Sequence, residues 1–346
     1  MFVNSNARLR WRLSRETELM DWLTAYPAAM GHEFIGRDRA LRAWGKLSRM
    51  RSFCGVAVES DEPIDGHRII GFGASVFVST AFAERETARP QPGLVARIIS
   101  SLDACDPVVL SEAELRHLNT NGGLDLVILM SRWRRGLLSE KQVAEVQMHL
   151  AQSFLHFHNG YQFLRFLAEA TDAVDIEHLK STGIYRITYF EDEIRQQPGR
   201  MWNPDRAFGV AERAAAVMMS GSIASFLFHY SEPILGLHDA HQELLAAALL
   251  GLTDSELTQS LGLNLAAVKK RWASIFAQVD QVRPGLLPTR ELDSGGEKRG
   301  PQKRHHLLAY LREHPEELRP SVSHLRNRKE LANKYGTISP GMGVPR

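Results

Sequence analysis

Hydrophobic and polar positions follow different spacings along the chain, and each spacing predicts a different element. Apolar residues recur every third or fourth position between Ser139 and His158, which predicts an amphipathic helix. Residues 69–80 are rich in β-branched and aromatic side chains, and residues 124–131 form a continuous apolar run, so both predict strands. Weaker patterns predict strands over residues 163–168 and 184–190 and helices over residues 17–28, 37–51 and 173–181.

The succession of strands and helices predicts the fold class. Strand, helix, strand, helix and strand follow one another between residues 124 and 190, which is typical of a mixed sheet in an α+β domain. The pattern after residue 231 is helical only. We therefore expect an α+β N-terminal sensor domain over residues 1–230, an all-α helix-turn-helix bundle over residues 231–285, and a linker with a basic helical extension over residues 286–346.

Fixed spacings between residues 237 and 280 predict the helix-turn-helix. Thr253 and Glu256 fit a capping box, in which each side chain satisfies the backbone amide of the other residue. Gly262 supplies the positive φ that a tight turn needs, and Asn264 is a good N-cap for the third helix. A three-helix bundle that only packs or dimerises is the alternative interpretation.

The same segment resembles the LuxR-type helix-turn-helix family. The matching positions are Glu243, Gly251, Leu252, Thr253, Asp254, Glu256, Leu257, Leu261, Gly262, Leu263, Asn264, Ala267, Val268 and Lys269. Two departures are His241, where the family has a second Glu, and the long extension after the bundle. The resemblance implies a transcription regulator that places its third helix in the major groove.

Charge supports a nucleic-acid partner for the C-terminal part. Residues 264–346 carry a net charge of +8, whereas residues 1–263 carry −6. A solvated tail, or a helix docked through Leu307, Leu308 and Leu311, would explain the basic extension without DNA. The residues expected to contact DNA are Thr253, Asn264, Leu265, Ala266, Lys269, Lys270, Arg271, Lys303 and Arg304.

Residues 125–190 resemble the GNAT acetyltransferases in the order of their elements. That family binds the pyrophosphate of acyl-CoA on a Gln/Arg-x-x-Gly-x-Gly/Ala loop between a strand and a long helix. Here the loop contains Gly136, but Trp133 and Leu138 replace the first and last residues of the motif. Arg132, Arg134, Arg135 and Gly136 are the candidate ligand-binding residues; a solvated rim of arginines is the alternative.

Together these features predict a DNA-binding transcription regulator whose N-terminal domain senses a ligand or partner, with no catalytic residue, metal site or cofactor. The alternative is an N-acetyltransferase that uses acetyl-CoA and is fused to a helix-turn-helix module. Expected partners are double-stranded DNA, RNA polymerase and a second copy in a homodimer, and no membrane. The two cysteines and the lack of a long apolar segment predict a cytoplasmic protein.

Overall fold

The computed structural model describes residues 8–26, 35–104, 108–190, 205–218, 223–288 and 300–322. Contacts between Cα atoms divide the chain into two units, residues 1–230 and residues 231–346. The predicted linker falls partly on residues 289–299, and the end of the predicted extension on residues 323–346. Both segments lie outside the described residues.

The first unit is built from strands and helices that alternate along most of its length. Its strands are β1 (Leu9–Leu13), β2 (Phe53–Ile64), β3 (His67–Val78), β4 (Leu124–Trp133), β5 (Phe163–Ala170), β6 (Arg186–Tyr189) and β7 (Ala207–Glu212). Its helices are α1 (Glu16–Ala25), α2 (Arg37–Leu47), α3 (Thr80–Ala88), α4 (Leu94–Ser101), α5 (Glu112–Asn121), α6 (Glu140–His158), α7 (Ala173–Ser181), α8 (Arg213–Met218) and α9 (Ile223–Phe228).

In the described part of the chain the seven strands form one sheet in the order β1-β2-β3-β4-β5-β7-β6. Each neighbouring pair from β1 to β4 is antiparallel, β4 and β5 are parallel, and β7 is antiparallel to β5 and β6. The parallel pair needs a crossover, and α6 provides it. Val146 and Leu150 of α6 are buried in one cluster with Val58 and Ile70 of the sheet, so this helix covers the β2–β3 half.

The predicted α+β class with a mixed sheet is confirmed for this unit. The amphipathic helix, both apolar strands and the short helix over residues 173–181 all form within a few residues of the predicted bounds. Strands β1, β2 and β7 were not predicted. The β1 segment alternates Leu and Trp with arginines, and its Arg10 and Arg12 are paired with Glu59 of β2, so its partners lie far away in the sequence.

The regular elements in the described residues of the second unit are all helical. Its helices are α10 (Asp239–Leu249), α11 (Asp254–Leu261), α12 (Leu265–Val282) and α13 (Gly300–Glu313), followed by a 3₁₀ turn over Pro315–Leu318. Buried leucines of α10 and α11 meet Val268, Trp272 and Ile275 of α12 in one hydrophobic cluster. Thr253 and Glu256 form the predicted capping box, and Asn264 accepts a hydrogen bond from the Ala267 amide at 2.8 Å.

The basic extension is part of this second core. Leu307, Tyr310 and Leu311 of α13 are buried in the cluster that α10 and α12 form. The buried carboxylate of Glu317 accepts hydrogen bonds from the amides of Ile234 and Leu235 at 3.0 Å each. Residues 300–318 therefore complete the C-terminal unit, rather than forming a segment of their own.

No helix in the described ranges is both long enough and apolar enough to cross a lipid bilayer.

Candidate functional site

The parallel strands β4 and β5 separate before they end, and this opens a cleft in the sheet. Their paired register runs from Leu124 opposite Phe163 to Ile128 opposite Ala168. Both strands continue beyond the last pair, β4 to Trp133 and β5 to Ala170. The backbone of residues 129–132 therefore faces that of residues 169–171 across a gap.

A bulge in β4 lies where the separation begins. Ser75 of β3 is opposite Ile128, but Ala74 is opposite Met130, so Leu129 is an extra residue on the β4 side. A bulge of this kind bends its strand and re-aims the following side chains. The antiparallel ladder with β3 continues to Trp133, which keeps β4 fixed to the sheet while it turns away from β5.

The cleft is lined by the diverging strand ends, by α4 on one side and by α7 on the other. The lining residues are Gly93, Val95, Ala96, Ile128, Leu129, Met130, Ser131, Arg132, Ala168, Glu169, Ala170, Thr171, Asp175, His178, Leu179 and Arg206. Among these, four side chains carry a charge, Arg132, Glu169, Asp175 and Arg206.

Two of the predicted ligand-binding arginines bridge the cleft through ion pairs. The Arg132 guanidinium binds both carboxylate oxygens of Asp175 and donates to the Thr171 hydroxyl at 2.9 Å. Arg135 donates to Asp172 at 3.0 Å and lies 3.5 Å from the Asp175 carboxylate. Both aspartates lie on the segment that caps and begins α7, so the pairs join the loop after β4 to the element after β5. The alternative of a solvated rim does not describe Arg132, whose guanidinium is held by Asp175.

The other two candidates in this loop have different surroundings. Arg134 donates from Nε to the Ile69 carbonyl at 2.9 Å, and its guanidinium lies over the Trp22 ring at 5.3 Å. It thereby ties the loop to β3 and α1. Gly136 has φ +84° and open space where a side chain would begin. The loop ends at Ser139, whose hydroxyl accepts a hydrogen bond from the Gln142 amide and caps α6.

A second closed ion pair stands on the α4 side of the cleft. The Glu169 side chain is 3% exposed and accepts hydrogen bonds from Arg206 at 2.6 Å and from the Leu94 amide at 2.7 Å. It also accepts one from the Gly93 amide at 2.9 Å. Glu169 therefore anchors the start of α4 to β5, and its lone pairs are used within the protein.

Asp172, Asp175, His178, Glu169 and Arg206 were not predicted as site residues. The sequence signal for the first three is their position just after an apolar strand, on one short helix. Burial lowers the pKa of His178, and Arg132 adds to this effect while Asp175 opposes it. Its ring lies edge-on to the ring of Trp133, with 6.4 Å between centroids.

The residues predicted to contact DNA are divided between internal and exposed positions. Arg271 donates to the Ala240 carbonyl at 3.1 Å, and Lys303 pairs with Asp280 at 3.0 Å. Arg304 binds both oxygens of Asp254, and its guanidinium lies 4.5 Å from the centre of the Trp272 ring. The exposed members of the set are Thr253, Asn264, Leu265, Ala266, Lys269 and Lys270.

Comparisons with known proteins concern the first unit alone. No protein-family model and no curated protein matches the chain. A structure of NAA60 from Arabidopsis thaliana with a bisubstrate analogue aligns at a TM-score of 0.36 and 14% identity, covering 59% of this chain and 98% of that one. FeeM, an N-acyl amino acid synthase from uncultured soil microbes, aligns at 0.33 and 8%, covering 61% and 96%. An agmatine N-acetyltransferase mutant aligns at 0.35 and 12%, covering 59% and 97%.

The prediction of a LuxR-type DNA-binding transcription regulator is wrong. Two of the solved structures named above are an N-acyl amino acid synthase and an N-acetyltransferase, and none of the three is named as a DNA-binding regulator. Lys303 and Arg304, expected to reach along DNA, pair with carboxylates of the bundle itself. Strand order and the splayed parallel pair give the described part of the first unit an α+β fold with a mixed sheet.

Proposed function

We propose that the N-terminal unit binds an acyl-CoA in the cleft between β4 and β5 and transfers its acyl group to an amine. The observation that supports this most directly is the separation of the parallel pair after Ile128 and Ala168. Diverging strands present backbone N–H and C=O groups toward each other without bonding them to each other. An extended ligand with amide groups can add to such an edge as a further strand does. The pantetheine arm of CoA has this chemistry.

The loop after β4 supports the proposal at the phosphate end of the ligand. Arg135 is the most exposed of its arginines, with 39% of its side chain accessible, and it can reach an incoming phosphate. Gly136 leaves open space beside the loop backbone. The start of α6 follows at Glu140, and a helix N-terminus favours negative charge.

Binding of a phosphate requires the ion pairs that bridge the cleft to rearrange. Arg132 and Arg135 are held by Asp175 and Asp172, so a phosphate must compete with two carboxylates for the same guanidinium groups. Arg134 remains bound to the Ile69 carbonyl and stays with the protein. In this proposal Arg132 and Arg135 exchange partners on binding, whereas Arg134 and Gly136 shape the loop.

The first experiment is calorimetric titration of the full chain with CoA and acetyl-CoA, followed by detection of free thiol in the presence of primary amines. We expect saturable binding of CoA to the wild-type protein. Ser131→Trp would place an indole on the floor of the cleft and should abolish that binding. Ser48→Trp, at the end of α2 and outside the cleft, is the matched control. Absence of CoA binding by the wild-type chain would overturn the proposal.

We also infer that α11 and α12 form a helix-turn-helix arrangement, independently of any DNA contact. Gly262 has φ +63°, and the amide of Leu263 bonds back to the Thr258 carbonyl at 3.0 Å, which makes the connection tight. Replacing Gly262 by Ala should cost about 1–2 kcal/mol of stability, because a Cβ disfavours this backbone conformation. Urea unfolding would measure this loss, and an unchanged stability would contradict the inferred turn.

A further inference from the structure

Four charged side chains in the cleft form two closed pairs. Arg132 with Asp175 crosses from β4 to α7, and Arg206 with Glu169 stands beside the start of α4. Acyl transfer to an amine also needs a group that removes a proton, because a primary amine is mostly protonated at neutral pH and its lone pair must be free to attack. The question is which side chain of the cleft can do this.

Neither carboxylate is well placed to accept a proton. Glu169 already accepts hydrogen bonds from Arg206 and from the amides of Gly93 and Leu94. Asp175 accepts from the amide and hydroxyl of Thr171, both at 3.0 Å, and it keeps these two donors when Arg132 exchanges partners on binding. Hydrogen bonds and ion pairs to the charged form make a carboxylate a weaker base.

His178 is the remaining titratable side chain that lines the cleft. It lies three residues after Asp175 and therefore on the same face of α7. Within the described residues its imidazole makes no hydrogen bond, in contrast to both carboxylates. The groups that face it are Asp175 on its own helix and Arg132 and Trp133 on β4. Burial lowers its pKa, so the ring is neutral at pH 7 and has a free lone pair.

We propose that His178 is the general base of the cleft and takes the proton from the acceptor amine. The inference rests on the proposed acyl transfer. In this step a ring nitrogen of His178 removes one proton from the ammonium group of the acceptor. The freed nitrogen lone pair forms a C–N bond with the thioester carbonyl carbon, the C–S bond breaks, and the thiolate leaves with the electron pair. The nitrogen loses its second proton as the amide forms, the thiolate takes up that proton, and His178 returns its own proton to solvent.

The position of His178 sets the expected pH dependence. Only the neutral imidazole can accept the proton, so the rate should fall as the pH drops through the pKa of His178. That pKa lies below the ordinary value of 6.5, so activity should persist to mildly acidic pH before it is lost. A role limited to packing against Trp133 would give no inflection at that pKa, because protonation of the amine itself takes place at a much higher pH.

The test combines histidine NMR with kinetics on the full chain. Proteins labelled with ¹³C-histidine are titrated with pH, free and saturated with CoA, and the His178 signal is assigned by its loss in His178→Gln. The matched control is His149→Gln, because His149 on α6 is also half-buried with a pKa lowered by burial but lies outside the cleft lining. We expect CoA to shift the His178 signal and to leave that of His149 unchanged.

Kinetics follow thiol release from acetyl-CoA with primary amines (a peptide with a free N-terminus, a polyamine and a simple amino acid), together with hydrolysis in their absence. His178→Gln should lower the rate about 10²–10⁴-fold and remove the acidic limb, with CoA affinity unchanged. His149→Gln should keep both. Either of two results would overturn the role of His178 alone. One is binding of CoA without a change in the His178 signal, and the other is a His178→Gln variant with the wild-type rate and pH profile. No CoA binding at all would instead remove the proposed function.

Discussion

Two arginine-rich segments of this molecule look alike in the sequence and differ in what surrounds them. Arg132 lies near the end of β4 and Arg135 in the loop after it in the first unit, and Lys303 and Arg304 lie near the start of α13 in the second. Each of these cations is paired with an aspartate of its own unit. The first pair stands at a gap between separating strands, whereas the second pair fixes a helix whose leucines are buried in a core. A basic cluster indicates a ligand site only where the backbone beside it leaves room for a ligand.

The largest expected effect tests whether the basic extension is structural. The double substitution Leu307→Ala and Leu311→Ala removes two fully buried side chains from the C-terminal core. Each loss should cost about 2–5 kcal/mol, enough together to unfold the unit. Hydrogen exchange of the α12 amides would then lose its protection. The control is His305→Ala with Arg312→Ala, both exposed on the same helix. Protected α12 amides in the leucine variant would show that α13 is only docked.

The next effect compares an ion pair where β4 and β5 are still paired with an ion pair where the two strands have separated. Arg165 binds Asp125 at 2.6 Å where the strands are still paired, and the Asp125 side chain is fully buried. Burial raises the pKa of Asp125, so removal of its partner leaves a costly charge. Arg165→Met should therefore lower the stability of the first unit by about 3–5 kcal/mol in urea unfolding.

Arg132→Met is the comparison for that measurement. Its partner Asp175 keeps two donors from Thr171, so the loss should be much smaller than that of Arg165→Met. Equal losses for the two variants would mean that the cleft pair is as structural as the buried one.

A third effect concerns the pH dependence of the C-terminal unit. Burial, helped by His238 and Arg271, lowers the pKa of His241 to about 4. At a pH between that pKa and the ordinary value of 6.5, His241 binds a proton in the unfolded chain but not in the folded chain. Stability from this group is therefore complete above pH 6.5 and is lost as the pH falls toward 4, by about 2–3 kcal/mol. Unfolding of His241→Gln should show a smaller loss over this range, whereas the exposed-site control His305→Gln should behave as the wild type.

The smallest effect tests whether Asp175 competes with the ligand. Asp175→Asn removes a charge that now holds Arg132, so calorimetry should show CoA binding about 3–10-fold tighter, or roughly 1 kcal/mol. Asp65→Asn, in the exposed turn between β2 and β3, makes the same change of charge elsewhere in the unit. Weaker binding by Asp175→Asn would assign Asp175 to the bound state of the cleft.

Local patterns predicted the elements whose residues pack against near neighbours in the sequence. Each of these patterns involves residues a few positions apart in the sequence. They are the apolar stripe of α6, the apolar strand β4 and the cap residues Thr253 and Asn264. Only part of the cleft was predicted. The residues of its arginine loop are adjacent in the sequence, whereas the residues opposite that loop are set by the register of β4 and β5. Which residues face Arg132 depends on where β4 and β5 stop pairing, some 40 residues apart in the chain.

Function was misjudged for a related reason. The helix-turn-helix pattern consists of the residues that cap α11 and α12 and form the turn between them. Folding requires these residues. Arg271 of that pattern, together with Lys303 and Arg304 of the extension, contributed to the charge expected to contact DNA. Their partners, the Ala240 carbonyl, Asp280 and Asp254, lie 23 to 50 residues away and become visible only in three dimensions.

The carboxylate of Glu317 has a consequence for how the protein is made. It binds the amide of Ile234, 83 residues earlier in the chain, so the beginning and the end of the second unit meet at one side chain. During synthesis, the helices that precede it leave the ribosome before this connection exists. The unit can therefore acquire its final stability only after residue 317 has emerged, and until then the apolar surface that α13 covers is exposed.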